Sequence, residues 1–241
     1  MKVAIQIVFY ALLCFLGISS PILSLLGKSV TVWDSVYLKF YGVASENTFS
    51  LLSYLFYIIV FMGYVYLFQL YITSYVSERL YYIAIRYQTL TRWFMPFGYR
   101  IGLGAVVWLI FILFLTIVVG IPYGHTLEMK ITVQPNVSVY QVLYQFLVNG
   151  WFQIMNGILI TFIGAWLFKD GAFSLITIGV LVLTALPMLN VGGWLPSGLN
   201  SMGYISSHWE ELFRITKVYI VYSLIETGVI IYLLKKVKFK N

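Results

Sequence analysis

Apolar residues in this chain show neither the short alternation of strands nor the narrow stripe of surface helices. They come in six long runs, roughly 3–26, 51–76, 101–120, 142–168, 172–190 and 218–234. Crossing the hydrocarbon core of a bilayer takes about 20 helical residues, so each run has the length of a span, the last one narrowly. Lipid offers backbone amides no partners, so the runs must close their hydrogen bonds internally as helices. The pattern predicts an all-α polytopic membrane protein: one domain, 1–241, with six transmembrane helices.

The connections carry their own periodicities. Between the second and third runs, Leu80, Ile83, Tyr87, Leu90 and Phe94 recur at steps of three and four, one face of a helix. An amphipathic cytoplasmic helix is expected over 77–95, broken by Pro96 and Gly98 before the third crossing. After the fifth run, the glycines and proline of 191–198 read as a turn. Ser207-His208-Trp209-Glu210 has the spacing of a capping box, so a helix should start near His208 and continue toward the sixth crossing. An exterior helix is expected within 199–217, and 199–205 is apolar enough to dip back into the outer leaflet.

Composition agrees with this reading. A soluble domain of 241 residues could not hide 61% hydrophobic residues with 10% charge. Lys2, Arg79, Arg86, Arg92, Arg100, Lys169, Lys235, Lys236, Lys238 and Lys240 fall on one side of the predicted membrane. Lys28, Lys39, Lys130, Arg214 and Lys217 fall on the other, balanced by Asp34, Glu46, Glu128, Glu210 and Glu211. The positive-inside rule then places both termini in the cytoplasm. The +7 net charge reads as topology and attraction to anionic lipid headgroups; no separate basic domain points to nucleic acid. Cys14, within the first run, has no second cysteine to pair with.

Three patterns inside the runs bear on function. Tyr54, Tyr57, Phe61, Tyr64, Phe68, Tyr71 and Tyr75 alternate steps of three and four, placing aromatic rings along one helix face. Such a stripe is a packing seam or the wall of a path for an amphipathic substrate. Gln145, Asn149, Gln153 and Asn156 share one face of the fourth run. Facing lipid they would be costly, so they form interhelical hydrogen bonds or line a hydrated cavity. Glu226 is the one acidic residue expected at membrane depth, where carboxylates serve proton or cation binding or ion pairing.

Enzyme chemistry is hard to find. No His-Glu-x-x-His helix, Gly-x-Ser-x-Gly elbow or phosphate-binding glycine loop occurs. Both histidines, His125 and His208, are predicted outside. We expect no catalytic residue, no metal site and no cofactor in this chain.

In size, in six crossings with both ends inside, and in its basic amphipathic helix, the chain resembles the membrane subunits of bacterial ABC-2-type transporters. It looks most similar to the permeases accompanying bacteriocin, lantibiotic-immunity and peptide-toxin exporters. Ser77-Glu78-Arg79 and Ile85-Arg86-Tyr87-Gln88-Thr89-Leu90-Thr91-Arg92-Trp93 are similar to that family's coupling region, and 196–216 looks like its exterior helices. Many members carry an amphipathic helix before the first crossing; here only Met1 and Lys2 precede the first run, so contact with an ATPase is expected to rest more heavily on 77–100.

The resemblance implies a bacterial cytoplasmic membrane protein exporting a hydrophobic or amphipathic peptide, for toxin export or self-immunity. It implies a separate ATP-binding cassette subunit carrying ATP and Mg, contacted through Glu78, Arg79, Arg86 and Arg92. It also implies a second permease copy or a sister permease. The path would lie at their interface, lined largely by the second and fifth helices; that favours Tyr54, Tyr57, Phe61, Tyr64 and Phe68 as a substrate wall, with Gln145, Asn149, Gln153 and Asn156 as its polar counterpart. The competing expectation is an ATP-independent membrane immunity or sensor protein, and for the basic helix alone, a lipid-surface element.

Overall fold

The computed structural model describes residues 2–20, 30–44, 51–78, 86–87, 89–168, 171–186, 188–190 and 192–236. These form helices α1 (Lys2–Ser19), α2 (Val32–Lys39), α3 (Leu51–Glu78), α4 (Leu90–Gly120), α5 (Val139–Phe168), α6 (Gly171–Thr184) and α7 (Trp209–Lys236). There is no strand among the described residues, only isolated bridges at Thr31–Thr126 and Ala44–Gly203. Four helices, α3, α4, α5 and α7, are long and apolar enough to cross a membrane, while α1 and α6 are shorter apolar helices. The all-helical class and the apolar helices of a multi-pass membrane protein are therefore present.

Several boundaries differ from the sequence expectation. The first run was expected to reach 26; α1 ends at Ser19, and 21–29 lie outside the described residues. Pro96 and Gly98 do not break the chain, because α4 runs unbroken through them. An interior proline costs roughly 3 kcal/mol, but aromatic packing holds the helix on both sides of it. Trp93 stacks on Phe97 with ring centroids 4.7 Å apart, and Phe94 meets Phe162 of α5 at 5.1 Å.

The fifth run stops early, at Thr184 rather than 190. There Asn190 holds the loop instead: its Nδ2 donates to the carbonyls of Leu195 and Ser197, and its Oδ1 accepts from Leu195 N–H. No separate exterior helix spans 199–217. Residues 199–206 form buried turns, and one helix runs from Trp209 to Lys236. Its start agrees with the expectation, but the expected capping box between Ser207 and Glu210 does not form among the described residues; Ser206 Oγ accepts from His208 N–H instead.

α5 is the central post, with α3, α4, α6 and α7 packed around it and α1 set outside against α3 and α4. Close approach needs small residues: a Cβ on Gly157 of α5 would lie 2.7 Å from Val65 of α3. α1 is fastened by Tyr10, whose hydroxyl donates to the Val60 carbonyl at 2.6 Å and whose ring stacks on Trp108.

The two ends of the bundle differ in kind. One is closed by a cap made of α2, the connection 121–138 and the segment 192–206. Thr31 and Asp34 form a capping box at the start of α2, and Asp34 also accepts from Thr132 N–H and Oγ1 and from Val133 N–H. Val32 N–H donates to Thr126 O and Met202 N–H to Phe40 O, tying the three pieces together. Lys39 closes the C-terminal end of α1 through the carbonyls of Gly17 and Ser20. The other end holds the starts of α1 and α4 and the ends of α5 and α7. α4 alone, with 31 residues, separates the two ends by about 46 Å at ~1.5 Å per residue.

Candidate functional site

The carboxamide face of α5 is wholly inside the protein: Gln145, Asn149, Gln153 and Asn156 are all buried. A helix begun by the Ser138–Gln141 capping box passes through a π-turn at Gln145–Asn149 and resumes at Gly150. Gln145 Nε2 donates to the carbonyls of Leu199 and Ser201 at 2.7 and 2.9 Å, and its Oε1 accepts from Asn149 Nδ2 at 2.6 Å. Asn149 Oδ1 accepts from Thr216 of α7. Gln153 Oε1 accepts from Gly198 N–H at 3.1 Å and from the Tyr219 hydroxyl at 2.8 Å. Asn156 Nδ2 reaches Phe152 O, Tyr219 O and Ser223 Oγ. The ladder thus pins the segment 192–206 and α7 onto α5 in this conformation.

The same ladder shows why 196–205 can be largely buried without helical structure. Irregular backbone is tolerated in an apolar surrounding only where its polar groups are met by protein. Gln145 and Gln153 meet them from below, and Ser201 Oγ donates to the Val43 carbonyl from the side at 2.7 Å. Gly203 lies so close to that strand-like contact that a Cβ would sit 2.3 Å from Val43 O. Asn200 and Ser201 were missed by sequence reasoning; two small polar residues inside an apolar loop were the available signal.

The aromatic stripe is packed inside the chain. Tyr54, Tyr57, Phe61 and Phe68 are buried and Tyr64 is half-buried. Tyr54 donates to Val182 O of α6, and the Tyr57 hydroxyl donates to Asn200 Oδ1 of the segment 192–206. Phe61 packs on Phe40 of the cap and Phe146 of α5, Tyr64 faces Trp108 of α4, and Phe68 meets Phe97. Tyr71 is exposed at the inner half of α3. The stripe and the ladder meet the same segment: Tyr57 reaches Asn200, while Gln145 and Gln153 bond the backbone of Leu199, Ser201 and Gly198.

Glu226 sits apart from both. It lies on the buried face of α7 with Tyr219, Ile230 and Leu234, 5% exposed. Neither carboxyl oxygen has a hydrogen-bond partner among the described residues, and Asn156 Oδ1, about one helical turn toward the cap, is also unpartnered. Of the coupling residues, Arg86 and Arg92 are described and exposed. Glu78 is the last residue of α3, and Arg79 lies outside the described residues, as do Leu80 and Ile83.

Electrostatics in the cap follow from burial and donors. Burial opposes the charge of Asp34, but the N–H and hydroxyl groups of Thr31, Thr132 and Val133 outweigh it and hold its carboxyl below the ordinary value. Burial brings Lys39 down to about 8. His125, whose Nδ1 lies 2.9 Å from Ser35 Oγ, is lowered by burial and by Lys39, with Asp34 opposing. No family model matches this chain, and neither a curated protein nor a solved structure matches it.

Proposed function

We propose that the chain is the membrane-spanning permease subunit of an ABC exporter, moving a hydrophobic or amphipathic peptide for toxin export or self-immunity. A separate ATP-binding cassette subunit supplies hydrolysis, and a second permease copy or a sister chain completes the path. The chain sits in a bacterial cytoplasmic membrane, where α1 and α6 join the four longer helices to make six crossings with both termini inside.

The observation that carries this reading is the contrast between the two ends of the bundle. The cap end is a folded, internally bonded plug. The opposite end exposes Arg86, Arg92, Arg100, Lys235 and Lys236, and Trp93 and Phe94, beside Arg92, are buried against the bundle. The guanidinium groups of Arg92 and Arg100, carried by so firmly seated a helix, suit docking to carboxylates or carbonyls of a soluble partner, with Arg86 exposed just before it. For the Tyr54–Phe68 face to act as a substrate wall, the seam it forms must open during the transport cycle, which is work that a hydrolysing partner provides.

Changing Arg79, Arg86 and Arg92 together to lysine keeps charge and removes the planar fork. Membrane insertion should be unchanged, while co-purification with the co-expressed ATP-binding subunit and peptide-stimulated hydrolysis should fall. Full complex formation and activity in that variant would return this helix to a lipid-binding role and favour the ATP-independent reading.

A further inference from the structure

Outside the ladder and the stripe, the cap holds a cleft of about 660 Å³ between α2, the segment 192–206 and the first turn of α7. Tyr37, Tyr41 and Tyr204 wall it, and Gln134, Glu210 and Glu211 stand among its polar lining. The two carboxylates differ. Glu211 is engaged by Arg214, whose Nε and Nη2 lie 3.0 and 2.5 Å from its oxygens, while Nη1 reaches Gly192 O. Glu210 is exposed and makes no ion pair among the described residues.

The tyrosines are similarly divided. Tyr37 donates to Gln134 Oε1 at 3.5 Å. Tyr204 is 7% exposed, lines the cleft, and makes no side-chain hydrogen bond among the described residues. A largely buried phenol on the wall of a cleft, near the Arg214 guanidinium but with no hydrogen-bond partner among the described residues, is an open hydrogen-bonding position. Burial raises Tyr37 to about 12 and raises Tyr204 despite the opposing Arg214, so these phenols stay neutral donors and acceptors.

We propose that this cleft binds an organic cation, the lysine or N-terminal ammonium of the peptide, held between the tyrosine rings with Glu210 as its counter-charge. Ring faces attract a cation through their quadrupole, the unpaired carboxylate supplies the charge, and the Tyr204 hydroxyl takes one ammonium proton in a hydrogen bond. An anion meets the free carboxylate of Glu210 here, the Arg214 guanidinium being already engaged by Glu211, and a purely apolar ligand leaves Glu210 and Tyr204 unmet. The identity of the ligand as a peptide rests on the exporter reading; the cation preference rests on the cleft alone.

The same ammonium chemistry occurs in an ethanolamine headgroup, so the test has two arms. The full chain, purified in uncharged maltoside detergent that carries no amine, is titrated by calorimetry with an acetylated, amidated leucine–lysine–leucine tripeptide. Its leucine–glutamine–leucine counterpart and soluble phosphoethanolamine are titrated in parallel. We expect the lysine peptide to bind at least about tenfold tighter than either. Glu210→Gln should remove about tenfold of that affinity, and Tyr204→Phe, which keeps the ring, about threefold. Glu128→Gln, an exposed acid outside the cleft, should change nothing.

Equal binding of the glutamine peptide, or an equal loss in Glu128→Gln, would overturn the site. Tighter binding of phosphoethanolamine would overturn the peptide assignment in favour of a lipid headgroup. Because no ATPase is present, loss of ATPase docking in the arginine variants leaves this result intact, and failure here leaves the docking result intact.

Discussion

Replacing Gln153 by leucine separates a structural carboxamide ladder from a hydrated path. The substitution keeps the bulk of a buried side chain and deletes the oxygen that accepts from Gly198 N–H and the Tyr219 hydroxyl. Both donors belong to buried residues. An orphaned buried donor costs about 1–3 kcal/mol in soluble proteins. Between membrane helices the measured cost averages about 0.6 and reaches about 1.7 kcal/mol, because the unfolded chain in lipid also finds partners. Two lost bonds should therefore destabilise the protein by roughly 1–3 kcal/mol.

Reversible unfolding in mixed detergent micelles, followed by tryptophan fluorescence, measures this, with Met155→Leu as a volume-conserving control costing under about 1.5 kcal/mol. Limited proteolysis of 195–206 should quicken in Gln153→Leu and not in the control. A loss below about 0.5 kcal/mol with unchanged proteolysis would refute the reasoning, since it would mean that water already serves these donors.

Two further outcomes follow from buried charge. Neither oxygen of Glu226 has a hydrogen-bond partner among the described residues, so Glu226→Leu should unfold at a higher temperature than wild type while Glu226→Gln stays close to it; a fall in the leucine variant would reveal a partner that depends on the acid. If Glu226 binds a proton during transport, peptide export should be lost in both variants at normal protein levels. Lys39 has a folded value near 8 against 10.5 for the free side chain. Between those values the unfolded chain binds more protons, so stability rises with pH across that window. Wild type should accordingly gain stability relative to Lys39→Met from pH 8 to 10.5, and a difference independent of pH would exclude the depressed value.

The sequence alone determined the helical class, most of the long apolar helices, the placement of basic residues at one end and the start of α7. Each depends on properties summed over many residues, such as hydropathy and helical periodicity, or on local turn chemistry. It also singled out the right polar face, because Gln145, Asn149, Gln153 and Asn156 share one side of any helix through them. What that face does was decided by tertiary structure. Its partners, Gly198, Leu199, Ser201, Thr216 and Tyr219, lie more than 40 residues away, and no periodicity connects them. Likewise Pro96 reads as a break locally, yet α4 continues because Phe162 and Phe97 hold its first turns. The apolar end of the fifth run reads as helix, yet the chain turns at Asn190, whose side chain serves the loop. The pattern of residues fixes which segments are apolar; only packing fixes which backbone groups find partners, and that decides where helices stop and which surfaces remain open.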